Sequence, residues 1–242
     1  MKQFGKYLIF LGQMFRTRES FRVHWKLLMN ECMLIGIDSI YIVALVATFI
    51  GAVTVVQTAY KFSIPYLPLS LIGNIVRDMT ILELAPTITA IVFAGKVGSS
   101  ISGGLGTMRI TEQIDAIEVM GINSVSYLVL PKVLAGVITY PMLVVLAGFL
   151  GIFGGYLAGT LTGALSPEDY IYGIRLDFIP FNATFALIKS FAFGFLVTSI
   201  SAFQGFYTRG GALEVGKAST TAVTKSCIAI LIADYILAQL LL

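Results

Sequence analysis

Five ionisable residues lie inside stretches that are otherwise apolar: Asp38, Glu83, Lys96, Lys189 and Asp234. A charge in such a setting costs at least a few kcal/mol unless it is paired or reaches water, so each marks a function or a built partner. A lysine and a carboxylate can neutralise one another, hold a charged ligand, or exchange a proton. The surrounding runs place Glu83 at the end of one hydrophobic stretch. Lys189 lies roughly 10 Å into another from the same side, at about 1.5 Å per residue. The two are within reach of each other, as a buried structural pair or as the polar lip of a cavity whose broad wall is apolar. Lys96 is near the opposite end of its stretch, where a long stem lets the ammonium snorkel to water. Asp234 is deep in the last apolar run, and the partner to expect is a hydroxyl or a lysine on a neighbouring helix.

Other chemistry is not indicated. The run AGKVGSS at residues 94–100 has the composition of a phosphate loop, but it lacks the G-x-x-x-x-G-K-[ST] spacing and no strand precedes it. The sequence offers no serine–histidine–acid set, metal-ligand cluster or carboxylate pair in a polar segment. His24 stands alone and is expected on a solvated or interfacial helix, while Cys32 and Cys227 read as buried free thiols. No catalytic residue, metal or cofactor is therefore expected, and energy for any work must come from a partner. Basic residues are scattered, without the stripe a nucleic-acid surface needs.

The elements that position these residues follow from composition. Hydrophobic residues make up 57% of the 242 and charged ones 12%, against roughly 25% charged in soluble domains. The missing water-facing surface implies a bilayer, whose core of about 30 Å needs about 20 apolar residues per helix. Five spans are predicted, at 34–57, 81–102, 133–159, 182–207 and 221–242, in an all-α integral membrane fold with one domain over 1–242. The stretch FSIPYLPLSLIGNI after Lys61 holds two prolines and is too short to cross, so it reads as an outer-face loop. Residues 1–30 interleave Lys2, Lys6, Arg16, Arg18, Arg22 and Lys26 with aromatic and aliphatic side chains, the pattern of an interfacial helix. No cleavable signal is evident ahead of the first span, so the N-terminus is expected to be retained. With the N-terminus inside, twelve basic residues face the inner side and three the outer, which predicts N-terminus in and C-terminus out.

Gly151, Gly155, Gly159 and Gly163 recur every fourth residue, and Gly95, Ser99 and Gly103 repeat the spacing in the second span. Such faces admit a second backbone closely and are read here as packing seams within the chain ahead of dimer contacts. The loop GGLGTMRITEQIDAIEVMGIN is expected to hold a short amphipathic helix on the inner side. In it Thr111 caps the start, Glu112 and Asp115 suit the positive N-terminal end, and Gly121 stops it in a left-handed turn. Ile110, Ile114 and Ile117 share one face, and Glu112, Asp115 and Glu118 make an opposite acidic region that suits a protein partner better than anionic lipid.

The segment TEQIDAIEVMG resembles the signature loop of the MlaE family of ABC permeases, which work with MCE-domain lipid-binding proteins. The segments ILELAPTITAIVFAGKVGSS, IKSFAFGFLVTSISAFQGF and GKASTTAVTKSCIAILIADYIL resemble the same family in the same order. The resemblance implies a homodimeric permease of the inner membrane, moving phospholipid between that membrane and a periplasmic MCE-domain protein. ATP would be bound and hydrolysed by a separate ATPase subunit. The loop helix, with Thr111, Glu112, Gln113, Asp115 and Glu118, would dock on that ATPase, and Glu83 and Lys189 would meet the lipid. Where family members carry Glu-Leu-Gly-Pro, this chain has Glu83-Leu84-Ala85-Pro86, which keeps the kink and changes how closely another backbone can approach. Two other classes fit the polar residues. One is an ion-coupled secondary transporter binding protons or cations at Asp38, Glu83 and Asp234, which the absence of an internal repeat argues against. The other is a non-transporting scaffold of an MCE assembly.

Overall fold

The computed structural model describes residues 2–14, 21–61 and 68–241. These are mostly helical, joined by short turns and loops, with no strand among them. Helix α1 covers Lys2–Gln13 and α2 covers Phe21–Cys32; α2 passes through a π-helical turn at Met33–Ile37 into α3, Asp38–Lys61. Helix α4, Ser70–Met79, continues through a π-helical segment at Thr80–Ile88, α5 (Thr89–Phe93) and a further π turn at Ala94–Gly98 into α6, Ser99–Ile110. The short α7, Gln113–Val119, leads to α8, Ser124–Leu161. Helices α9 (Pro167–Arg175), α10 (Pro180–Phe206) and α11 (Ala212–Leu241) complete the chain. Five helices are long and apolar enough to cross a membrane: Arg22–Lys61, Ser70–Ile110, Ser124–Leu161, Pro180–Phe206 and Ala212–Leu241. Each contains one predicted span, apart from a residue or so at the ends of the last two.

The boundaries differ from the sequence reading in two places. The N-terminal region is two helices, and α2 runs unbroken into the first span. Arg16 and Arg18 fall outside the described residues. Helix α1 packs against α10: Phe10 and Met14 are buried, Phe10 sits 5.5 Å from the Phe203 ring, and Tyr7 bonds Ser199 at 2.7 Å. The second departure is at the assigned outer loop, whose residues 62–67 lie outside the described set. From Ser70 the chain is helical, because Pro65 and Pro68 precede the helix and do not interrupt it. Ile72, Gly73, Val76 and Arg77, spaced i, i+1, i+4 and i+5, form its buried face against α9.

Helix starts follow local chemistry. Asn123 Oδ1 accepts from the backbone N–H of Val125 and Ser126 at 3.1 and 3.2 Å, and Ser166 Oγ accepts from Asp169 N at 3.0 Å, with Pro167 at the first helical position. The glycine face of α8 packs inside the chain, against α3. A Cβ added to Gly51 or to Gly154 would overlap the carbonyl of Gly151 or of Thr48, and one on Gly155 would lie 2.7 Å from Val55 Cγ2. Gly163 does not belong to this face. Helix α8 ends at Leu161, and Gly163 takes the left-handed conformation (φ +69°) in open space, as residues just past a helix end commonly do. In the second span Gly95 also faces open space. The close approaches there are Gly98 to Ser201 and Gly205 to the Ser102 backbone.

Candidate functional site

Lys189 of α10 is fully buried, and its ammonium has three donors to place. They reach Glu83 Oε1 at 3.0 Å, Asp234 Oδ1 at 2.5 Å and the Leu82 carbonyl at 3.0 Å. The third acceptor is available because Pro86 has no N–H, which deprives the Leu82 carbonyl of its ordinary α-helical donor. The Tyr140 hydroxyl donates to the Pro86 carbonyl at 2.5 Å and fixes the kinked segment against α8. The Thr87 hydroxyl lies 3.2 Å from Glu83 Oε2 and 3.3 Å from Asp234 Oδ1, bridging the two carboxylates with its one proton. The Phe185 ring, 5.0 Å away, faces the same ammonium.

The predicted Glu83–Lys189 pair therefore exists, and Asp234 joins it with the two kinds of partner expected, a lysine and a hydroxyl. The expectation that Lys189 lines an open cavity does not hold. Its side chain is 0% exposed with all its donors engaged, whereas Glu83 is 48% exposed and Asp234 18%. Two carboxylates and one ammonium sum to −1, and the group facing outward is a carboxylate. The apolar wall is on the other side of the helix. Ile81 and Ala85 flank Glu83 in sequence and line a groove of about 230 Å³ with Val144, Phe149 and Leu187.

Helix α7 departs from expectation at both ends of its amphipathic pattern. Thr111 does not cap it: its hydroxyl bonds back to Thr107 O at 2.8 Å and closes α6. The turn is made by Glu112 in the left-handed region (φ 60°), and Gly121 ends the helix at φ +80° as predicted. The isoleucine face turns inward, with Ile114 completely buried. The apolar surface left open is Val119 and Met120, 88% and 67% exposed. Asp115 pairs with Arg109 at 2.6 Å and Glu118 accepts from Ser124 Oγ at 2.6 Å, while Glu112 and Gln113 are exposed.

Lys96 is exposed, and its ammonium donates to the backbone carbonyl of Asp38 at the start of α3. Cys32 and Cys227 are free and half-buried. His24 lies on α2, and both its ring nitrogens are buried without a partner among the described residues. No metal-ligating cluster occurs among the described residues. Sequence reasoning missed Arg77, which entered there only as one of the three basic residues assigned to the outer side. It is 2% exposed, donates to the carbonyls of Ile174 (2.8 Å) and Leu176 (2.6 Å) at the end of α9, and reaches Asn74 Oδ1 (3.1 Å) and Asp78 (2.8 Å). The signal for it was the amphipathic spacing of residues 72–77.

The family described as Permease MlaE matches residues 28–240, from the last turn of α2 almost to the end of α11. The chain belongs to the MlaE permease family. This MlaE-family permease is 36% identical to a "Probable ABC transporter permease protein" of Rickettsia bellii, over 90% of this chain and 84% of the relative. It is 33% identical to the chloroplastic protein TRIGALACTOSYLDIACYLGLYCEROL 1 of Arabidopsis thaliana, over 90% of this chain and 62% of that one. It is also 28% identical to the "Intermembrane phospholipid transport system permease protein MlaE" of Haemophilus influenzae, over 91% and 84%. A transporter permease with five membrane-crossing helices accounts for both the polar cluster inside the bilayer and the short helix outside it.

Proposed function

We propose that the chain is the membrane subunit of an ABC transporter, working as a homodimer in the inner membrane. It moves phospholipid between that membrane and a periplasmic MCE-domain protein, with ATP hydrolysed on a separate cytoplasmic subunit. The observation that carries this reading is the charged cluster of Lys189, Glu83, Asp234 and Thr87 built on a proline-kinked helix, in a chain whose relatives include one named for intermembrane phospholipid transport. The amine of a headgroup entering from the outer half meets the Glu83 carboxylate, and Lys189 acts from behind by holding both carboxylates in place.

Helix α7 is the coupling element. Its exposed C-terminal tip, Val119 and Met120, offers an apolar knob to a groove of the ATPase, and Glu112 and Gln113 lie exposed at the other end of the helix. The test uses proteoliposomes holding the permease with its ATPase and an MCE-domain acceptor, with fluorescent phosphatidylethanolamine as cargo. Transfer is expected to need ATP and to fall to background in Val119→Ser/Met120→Ser, with folding unchanged because both side chains are exposed. Transfer driven by an ion gradient without ATP would overturn the reading.

A further inference from the structure

A second charged cavity lies at the other end of the same helices. The π-helical turns at Met33–Ile37 and Ala94–Gly98 both contribute to its wall, and α8 closes it. Its volume is about 170 Å³, and its polar lining is Glu31, Asp38, Lys96, Ser100 and Lys132. The π-helical turns among the described residues thus border either this cavity or the Glu83 cluster; such turns add a residue to the helix and re-aim side chains, and they are frequent at functional sites. Lys96 is 13 residues beyond Glu83, about 20 Å along the helix, so the two sites are separate.

The charges differ in a way that matters for a ligand. Lys132 pairs with Glu31, both side chains about four-fifths buried. Lys96 is held by a main-chain carbonyl, a neutral acceptor, with no acidic partner among the described residues. The Asp38 carboxylate likewise pairs with no described side chain. Two lysines and two carboxylates sum to zero here, against −1 at the Glu83 cluster, where an incoming phosphate would be repelled. The cavity is at the level where the amphipathic α2 turns into the first span, and Leu34, an exposed residue, sits at its rim. That is the depth of lipid headgroups.

We propose that this cavity is a second lipid headgroup site, in the leaflet on the α7 side, which takes the phosphate against Lys96 and Ser100 and an amine against Asp38. The proposal rests on the reading of the chain as a lipid permease. It assigns the inner-leaflet end of the path to a phosphate-binding site and the outer end to a carboxylate-faced one.

The test places the purified full-length protein in nanodiscs of phosphatidylcholine with a small fraction of phosphatidylethanolamine carrying a photoactivatable headgroup, and maps adducts by mass spectrometry. Adducts are expected on residues 31–38 and 96–101, reduced at least several-fold in Lys96→Gln and restored in Lys96→Arg, with adducts near Glu83 unchanged. Thermal melting of each variant separates lost binding from lost folding, and the wild-type map stands even if one variant does not fold. Adducts near Glu83 with none at the cavity would overturn this proposal alone; adducts at neither place would overturn the lipid reading as well. Millimolar inorganic phosphate should not compete. If it abolishes the cavity adducts, the site takes a free phosphate and the headgroup assignment fails.

Discussion

Lys189 and Glu83 form one ion pair but have unequal stakes in it. Removing the lysine leaves the Glu83 and Asp234 carboxylates sharing a site without a cation, and breaking a buried pair in this way costs about 3–5 kcal/mol. Removing Glu83 leaves Lys189 with Asp234 and the Leu82 carbonyl, and Glu83 is half exposed, so Glu83→Gln should cost about 1 kcal/mol or less. Thermal melts in detergent are expected to show a large fall for Lys189→Ala and a small one for Glu83→Gln, with lipid transfer reduced in both. Equal destabilisation by the two would mean that Asp234 contributes nothing to holding the lysine. The charge swap Glu83→Lys with Lys189→Glu should not restore stability, because a glutamate at the buried position would face the Asp234 carboxylate and the Leu82 carbonyl.

At the level of elements, the α3–α8 contact depends on glycine in a way the fourfold spacing only partly conveys. Gly51→Ala and Gly154→Ala put a methyl group into a backbone carbonyl, where neither helix can yield without separating, and overpacking of this kind costs about 1–3 kcal/mol or more. Gly95→Ala adds its methyl to open space in a helical segment and should be neutral or stabilising by up to about 1 kcal/mol. Gly163→Ala also meets nothing, yet its positive φ makes it cost about 1–2 kcal/mol. Melting temperatures should be lowest for the two seam glycines, intermediate for Gly163→Ala, and unchanged or raised for Gly95→Ala. A seam variant as stable as Gly95→Ala would show that α3 and α8 do not pack as closely as described.

Across the whole molecule the orientation is predicted from charge: the excess of basic residues on the α1, α2 and α7 side is expected to put that side in the cytoplasm. With Cys32 and Cys227 first replaced by serine, Glu168→Cys at the start of α9 should react with an impermeant thiol reagent added from the periplasm. Glu112→Cys should not. Both positions are exposed, so a reversed pattern cannot be attributed to burial and would invert the orientation. Length, hydropathy and basic residues were enough to read the five crossings and the α7 loop, because a bilayer allows only a closed helix of about 20 apolar residues. The sequence likewise determined that Glu83, Lys189 and Asp234 needed partners, since the cost of an unpaired charge in hydrocarbon does not depend on the fold. Which partner each takes did depend on it. Asp234 meets Lys189 only because α10 and α11 pack beside the kinked segment, and the Leu82 carbonyl becomes an acceptor only through Pro86. Arg77, counted in the sequence only toward the outer-side charge, is a buried clamp because α9 folds back over α4. Thr111 satisfies its own helix and leaves the turn to Glu112, and Ile114 turns into the core while Val119 and Met120 stay outside. Each of these outcomes was settled by where other elements came to lie, because the spacing within one segment marks a face to be buried without naming the distant residue that covers it.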